Sequence, residues 1–393
     1  MKQIKAQVNI IGGGLVGAIT AFCLSKLDMN ITLLEKKSRV TSSVRYNDQR
    51  TLAISEGTRN FLEKIGIWKK IKIYAEPIKK INIIDRKPIN NLDFDNRRRD
   101  SFLGYIIKNK DLINVVYQSL KKQKNVHQFF DIDITNIQNK YDHVITKTNK
   151  ISILSDVNIA ADGKYSSVRE KLKTPIYKKN YNKKALVLTL LHSKNHNGTA
   201  FEFFYKDGPL AILPMKSTNI DFSSSIIWTN QNNYVDSLLK LDNEELISIL
   251  EKKTNSSLGI VKLLSKQNFP ISAHLSTKFY DGKTIYIGDA AHSFHPIAGQ
   301  GWNLGMKDVE NIFNLIKKYN SLGINLGNNN FCKEYHNENY FNAYRLYQIT
   351  DKLDNLFRSQ NTIFNIGRSV GLSIIQRNSK IKNLISDFAM GVN

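Results

Sequence analysis

Apolar and polar positions alternate along the chain in short blocks whose period changes from region to region. Gln7-Val8-Asn9-Ile10-Ile11 is β-rich, glycines follow, Leu15 to Leu27 carries a helical pattern, and Ile31-Thr32-Leu33-Leu34-Glu35 reads as a second strand. This order makes a βαβ unit. Thr58 to Ile73 alternates apolar and basic residues at helical spacing, Asp111 to Lys122 repeats the pattern, and Ile81 to Phe102 between them holds short strands. From Ala185 the period drops to two. Ala185–Leu191, Thr199–Tyr205, Leu210–Met215 and Phe222–Thr229 predict antiparallel strands joined by turns such as Lys206-Asp207-Gly208-Pro209. A strand at Thr284–Ile287 then leads through a glycine-rich loop to a helix from about Asn303 to Tyr319. Asn328-Asn329-Asn330 reads as a polar linker, and the rest is mostly helical. Ile381, Leu384, Ile385 and Phe388 share one face, expected to pack on its own domain.

Composition narrows the class. A chain of 393 residues suggests two or three packed units, and 41% hydrophobic with 23% charged residues excludes disorder. Cys23 and Cys332 allow at most one disulfide and no four-thiolate metal site, which points to a reducing cytoplasm. Ala6 to Ser25 is uncharged, but Gly12, Gly13, Gly14 and Gly17 break the apolar run of a signal core, so no membrane span is expected. The balance of 57 Lys+Arg against 34 Asp+Glu leaves +23, a field that favours anionic partners. No nucleic-acid recognition motif accompanies it, so nucleic acid is not expected. An anionic lipid surface stays open; Arg97-Arg98-Arg99 reads first as a solvated face and alternatively as the basic cluster that would meet a headgroup.

Gly12-x-Gly14-x-x-Gly17 directly follows a strand and opens a helix, and Glu35 ends the next strand. Gly12 permits the tight turn, Gly14 lets a pyrophosphate approach the backbone, and Gly17 lets helix and strand close on each other. Glu35 is placed to accept from an adenosine ribose hydroxyl. These residues say dinucleotide without saying which. Two later segments decide. Asp162-Gly163-Lys164-Tyr165-Ser166-Ser167-Val168-Arg169 has the form D-G-x-x-S-x-V-R after a strand, and Gly288-Asp289-Ala290-Ala291-His292 precedes Pro296-Ile297-Ala298-Gly299-Gln300-Gly301-Trp302-Asn303.

With these three fingerprints in this order, the chain resembles the class A FAD-dependent aromatic monooxygenases. Asp48-Gln49-Arg50-Thr51-Leu52-Ala53-Ile54-Ser55, Gly208-Pro209-Leu210-Ala211-Ile212-Leu213-Pro214 and His295 to Asp308 look like the branch that hydroxylates polyprenyl phenols in ubiquinone biosynthesis. Where that branch usually reads Glu-Asn-x-x-Leu, this chain has Lys108-Asn109-Lys110-Asp111-Leu112. The resemblance implies FAD lying extended, with Arg50 and Asn109 supporting it, Asp162 near it, and Gly288 and Asp289 at the ribityl chain. It implies Pro296, Gly299, Gly301 and Asn303 around the isoalloxazine, where helix N–H groups favour the anionic reduced ring. NAD(P)H or another donor would reduce the flavin transiently, and O2 would add to give a C4a-hydroperoxide that oxygenates an electron-rich phenol. The partners implied are a polyprenylated phenol, other proteins of quinone synthesis, and a peripheral contact on the inner face of the membrane.

The expected fold is α/β with an α+β layout. A discontinuous Rossmann-like FAD-binding domain takes residues 1–75, 103–175 and 275–325, an antiparallel substrate sheet takes 76–102 and 176–274, and a helical region takes 326–393. Pro296, Phe201, Phe203, Phe204 and Leu213 are the expected pocket wall, with sheet core an equal reading of the aromatics. No side chain stands out as a general base. His292 and His295 lack a nearby ligand set, so no metal is expected, and they shape the turn beside the flavin. Two other readings remain: a flavin hydroxylase of a soluble phenol, and a non-catalytic scaffold holding a biosynthetic assembly at the membrane.

Overall fold

The computed structural model describes residues 2–38, 48, 50–85, 91–95, 102–217, 221–294, 300–358 and 376–391. Its first sheet has eight strands. Five run parallel in the order Thr284–Tyr286, Ile151–Ala160, Lys2–Ile11, Ile31–Glu35 and Val126–Phe130. Such strands are covered on both faces and must be apolar throughout. Val8, Ile10, Ile31, Val157, Ile159 and Ile285 accordingly have no exposed surface. The polar exceptions satisfy one another. Thr32 Oγ1 donates to Asn9 Oδ1 (2.8 Å), Asn9 Nδ2 to Asn158 Oδ1 (2.9 Å), and Asn158 Nδ2 to Thr146 Oγ1 (2.9 Å), which locks the register of four strands.

The second sheet also has eight strands, in the order His292–Ser293, Ile260–Ser276, Ile176–His192, Phe222–Gln231, Gly208–Met215, Thr199–Tyr205, Lys80–Asp85 and Asn91–Asp95. All neighbours are antiparallel except Thr199–Tyr205 with Lys80–Asp85. Its outer face carries Leu186, Leu188, Phe203, Ile212 and Trp228, packed under the helices Asn232–Lys240 and Asn243–Lys253. Its inner face carries Ala200, Leu213 and Met215, packed with Ala53, Ile78 and Ile106 of a three-stranded sheet, Thr51–Ile54, Gly104–Lys108 and Glu76–Ile78.

Two expectations are corrected here, and the choice left open over the aromatics is decided. Phe201 and Phe203 lie on the outer face with the helix-covered cluster, so they are sheet core; Leu213 is the inner-face residue of the expected wall. The helix expected over Thr58–Ile73 breaks at Gly66 into Glu56–Lys64 and Trp68–Ile71. Asn328 to Asn330 form no linker: the helix Asn329–Arg358 begins there, and Asn328 Oδ1 accepts from Asn330 N at 2.9 Å as a start signal. The strand Ile260–Ser276 went unforeseen because polar residues and register shifts interrupt its alternation. The last helix spans Ser379–Met390; the side chains of Ile381, Leu384, Ile385 and Phe388 lie outside the described residues. No described helix is long and apolar enough to cross a membrane.

Candidate functional site

The three glycine-bearing motifs leave the carboxyl ends of neighbouring parallel strands. Ile11 pairs with Ala160 and Ala160 with Tyr286, so Gly12, Asp162 and Gly288 follow strands spaced about 4.8 Å apart. Ala161 N donates to Ile11 O at 2.7 Å and Ile287 N to Ala160 O at 3.0 Å. Glu35 ends the strand on the other flank. The order along this edge is Asp289, Asp162, Gly12 to Gly14, Glu35, which suits an extended dinucleotide laid across strand carboxyl ends.

Each glycine of the first motif has its own cause. Gly12 has φ +109°, and a Cβ there would run into the Ala161 backbone. A Cβ at Gly17 would overlap the carbonyl oxygen of Gly12, so helix and strand close only around hydrogen. Gly14 differs. Its φ of −67° is ordinary, and a Cβ would meet nothing within 4 Å. The chain does not need glycine there for its own fold. The open space faces the start of the helix Leu15–Leu24, which has no side-chain cap, so its N–H groups and positive end are free for a diphosphate.

Two buried acceptors fit the same occupant. Asp162 accepts from Val168 N (3.1 Å) and Ser167 Oγ (3.3 Å) through Oδ2, while Oδ1 is buried without a partner among the described residues. Asn109 donates through Nδ2 to Asp48 Oδ2 (3.1 Å), and its Oδ1 is likewise buried and unpaired. Each is an acceptor awaiting a donor. The residues present therefore fit FAD. Glu35 is buried, accepting from Gly13 N (2.6 Å) and Lys37 N (2.9 Å), so its carboxyl lies against the turn of the first motif.

Arg50 forms a two-pronged pair with Asp48, Nε to Oδ1 at 2.9 Å and Nη2 to Oδ2 at 2.7 Å, and lies over the Phe269 ring at 5.1 Å. Burial alone would raise the Asp48 carboxyl, but Arg50 and Asn109 donate to it and hold it below the usual range. Asp289 keeps an exposed surface; loss of hydration from the groups around it nonetheless holds its carboxyl above the usual range, against the pull of His292, Lys164 and Arg50.

Arg169 stitches the second motif to the third. Buried, it donates to Ala290 O (2.6 Å) and Lys164 O (3.0 Å). His274 beside it is pushed down to about 3 by burial and by Arg169, and so is neutral. Asp308 Oδ2 accepts from Gly288 N (2.8 Å) and His292 Nε2 (2.7 Å), which fixes the third turn from the helix Gln300–Ser321. Asn303 holds the strand Thr51–Ile54: its Oδ1 accepts from Ser55 N (2.9 Å), and its Nδ2 donates to Ala53 O (3.0 Å). A Cβ at Gly301 would meet nothing within 4 Å. Pro296, Gly299, His295 and Arg97 to Arg99 lie outside the described residues.

Sequence reasoning missed Asp48, Asp308 and Tyr117, whose hydroxyl donates to Gly13 O at 2.7 Å. Asp48 and Asp308 stood inside quoted motifs, but their partners are set by strand pairing and helix docking. Tyr117 had no signal beyond its place on a helix.

The profile of the FAD binding domain family matches residues 5–338. Among named proteins, the chain is 28% identical to ubiquinone hydroxylase UbiL of Rhodospirillum rubrum, over 98% of this chain and 90% of that one. It is 22% identical to 3-demethoxyubiquinol 3-hydroxylase of Escherichia coli, over the whole of both. Among solved structures, p-nitrophenol 4-monooxygenase PnpA from Pseudomonas putida superposes with a TM-score of 0.79 at 18% identity, over 99% and 98% of the two chains. The flavin-dependent monooxygenase PieE, solved with FAD and substrate, gives 0.73 at 12%, over 100% of this chain and 72% of that one. These two likenesses show a shared fold.

Proposed function

The chain belongs to the FAD binding domain family, as an FAD-dependent aromatic-ring monooxygenase, and from that premise we propose that it hydroxylates the ring of a polyprenylated phenol in ubiquinone biosynthesis. The observation that carries this reading is the match to ubiquinone hydroxylases over nearly the full chain, joined to a carboxyl edge that fits FAD.

Bound FAD, reduced by NAD(P)H or another donor, supplies the activation of O2. The chain does the rest. Gly14 and the uncapped helix start receive the diphosphate, Glu35 the adenosine ribose, and Asp162 and Asn109 offer acceptors. The Arg50–Asp48–Asn109 cluster fixes the strand Thr51–Ile54, whose Thr51 Oγ1 donates to Ser225 Oγ (3.3 Å) on the substrate sheet. Between them the apolar cluster of Ile78, Ile106, Ala200 and Met215 keeps water from the reacting oxygen. We assign residues 1–75, 103–175 and 275–325 to the flavin domain, 76–102 and 176–274 to the substrate domain and 326–393 to the closing helices. Strands 80–85 and 91–95 supporting that division lie in one sheet with 176–276, although His292–Ser293 joins it too. The bilayer home of a polyprenyl chain and the +23 charge support a peripheral contact with an anionic membrane surface as part of this reading.

Supplying the gene to cells blocked at each quinone hydroxylation in turn tests the assignment. Rescue of one block, with loss of its accumulated phenol, is expected; rescue of none, by a protein that purifies yellow, overturns it.

A further inference from the structure

Resting on the reading above, we propose that Glu202 is the base that takes the proton of the substrate's phenolic hydroxyl. It stands on the inner face of the antiparallel sheet, turned to the side where that sheet meets the flavin domain.

Strand pairing fixes its position. Glu202 pairs with Ala211 and Ile83, and Ala211 with Ile227. Alternation puts Glu202 with Ala200 and Leu213, opposite to Phe201 and Phe203 under the helices. The same face bears Ser225, bonded to Thr51, and Phe269, under the Arg50 guanidinium. Glu202 lies two strands across and two residues along from Ser225, which is about 12 Å between Cα atoms by ordinary sheet spacings. That distance equals the reach of one aromatic ring, its hydroxyl and a hydrogen bond to a carboxylate.

The surroundings leave the carboxyl without other employment. Its neighbours Ile83, Ala200 and Ala211 offer no side-chain donor, and among the described residues it has no hydrogen-bond or ion-pair partner, although it is only partly covered. A carboxylate placed among apolar groups costs stability unless something else requires it. Burial alone raises it from its ordinary value to about 7. The titratable groups on this face of the sheet and on the three-stranded sheet packed against it include Asp85, Lys183, Glu76 and Lys108, and none of them moves it. A base so tuned is half ionised near neutrality, where proton transfer is most effective. In the step, the phenol O–H bond breaks and a carboxyl O–H bond forms on Glu202. The electron pair left on the phenol oxygen enriches the ring carbons towards oxygen, and nothing is oxidised or reduced.

The test uses full-length, FAD-loaded protein with short- and long-chain 2-prenylphenols as probes. Wild-type hydroxylation should rise with pH through about 7 and level off. Glu202→Gln should lose about 10²-fold at pH 8 together with that rise, keep its flavin spectrum and its rate of flavin reduction, and Glu202→Asp should recover part of the rate. Stability gives a readout apart from turnover. The folded carboxyl titrates higher than the unfolded one, so its destabilising charge sets in as pH rises from the ordinary value towards 7 and persists above it. Glu202→Gln should therefore raise the melting temperature more at pH 8 than at pH 5. A fully loaded Glu202→Gln that hydroxylates like wild type with the same pH profile overturns the role and leaves the substrate reading standing, as does a melting gain equal at both pH values. A flavin-loaded wild type that hydroxylates none of the prenylphenols overturns the substrate reading and this role with it.

Discussion

The carboxyl edge of the parallel sheet and the inner face of the antiparallel sheet build their halves of the site by different means. At the edge, main-chain groups and missing side chains make the surface: Gly12, Gly14 and Gly17 differ in what a Cβ would meet, and Asp162 and Gly288 follow strands held side by side. On the sheet face, every second side chain of three strands makes it, with Glu202 beside Ala211 and Leu213 beside Ser225 only through pairing. A cofactor held by backbone tolerates little change. A substrate held by side chains can be exchanged for another with the scaffold intact.

Substitutions sharpen that contrast, beginning with the most damaging. Gly17→Ala puts a methyl onto the Gly12 carbonyl and should cost about 3 kcal/mol or more, seen as loss of folded, yellow protein. Arg169→Met leaves Ala290 O and Lys164 O without their donor and should cost about 3 kcal/mol in denaturant unfolding. Asp308→Asn leaves a neutral amide oxygen in place of the carboxylate oxygen that holds both Gly288 N and His292 Nε2, weakening both bonds; about 1 kcal/mol is expected, with weaker flavin retention on gel filtration. Thr51→Val removes the 3.3 Å bond to Ser225 and should shift unfolding by only about 0.5 kcal/mol. An unfolding cost for Thr51→Val equal to that of Gly17→Ala would break the comparison.

What was legible in the sequence follows the same divide. The βαβ start, the four hairpin strands and the three glycine motifs read directly because each is a contiguous stretch whose spacing reflects local geometry. Asp48 could not be tied to Asn109 because the strand Thr51–Ile54 meets Gly104–Lys108 only through pairing across some fifty residues. Alternation in Thr199–Tyr205 announced two faces but not which one the helices Asn232–Lys253 cover, so pocket wall and sheet core stayed equal readings for Phe201 and Phe203, and Glu202 carried no signal of its own. Asn303 was legible as part of a motif, while its hold on Ser55 and Ala53 depends on how the helix Gln300–Ser321 docks.

Gly14→Ala isolates the space that the glycine turn keeps clear, since its backbone angles suit alanine and nothing stands within 4 Å of the added carbon. Titrating FAD into the stripped proteins should find one equivalent bound tightly by wild type, and Gly14→Ala folded with an unchanged melting temperature but weaker in FAD affinity by about 10²-fold, roughly 2.7 kcal/mol. Equal FAD affinity in the two proteins would contradict the account.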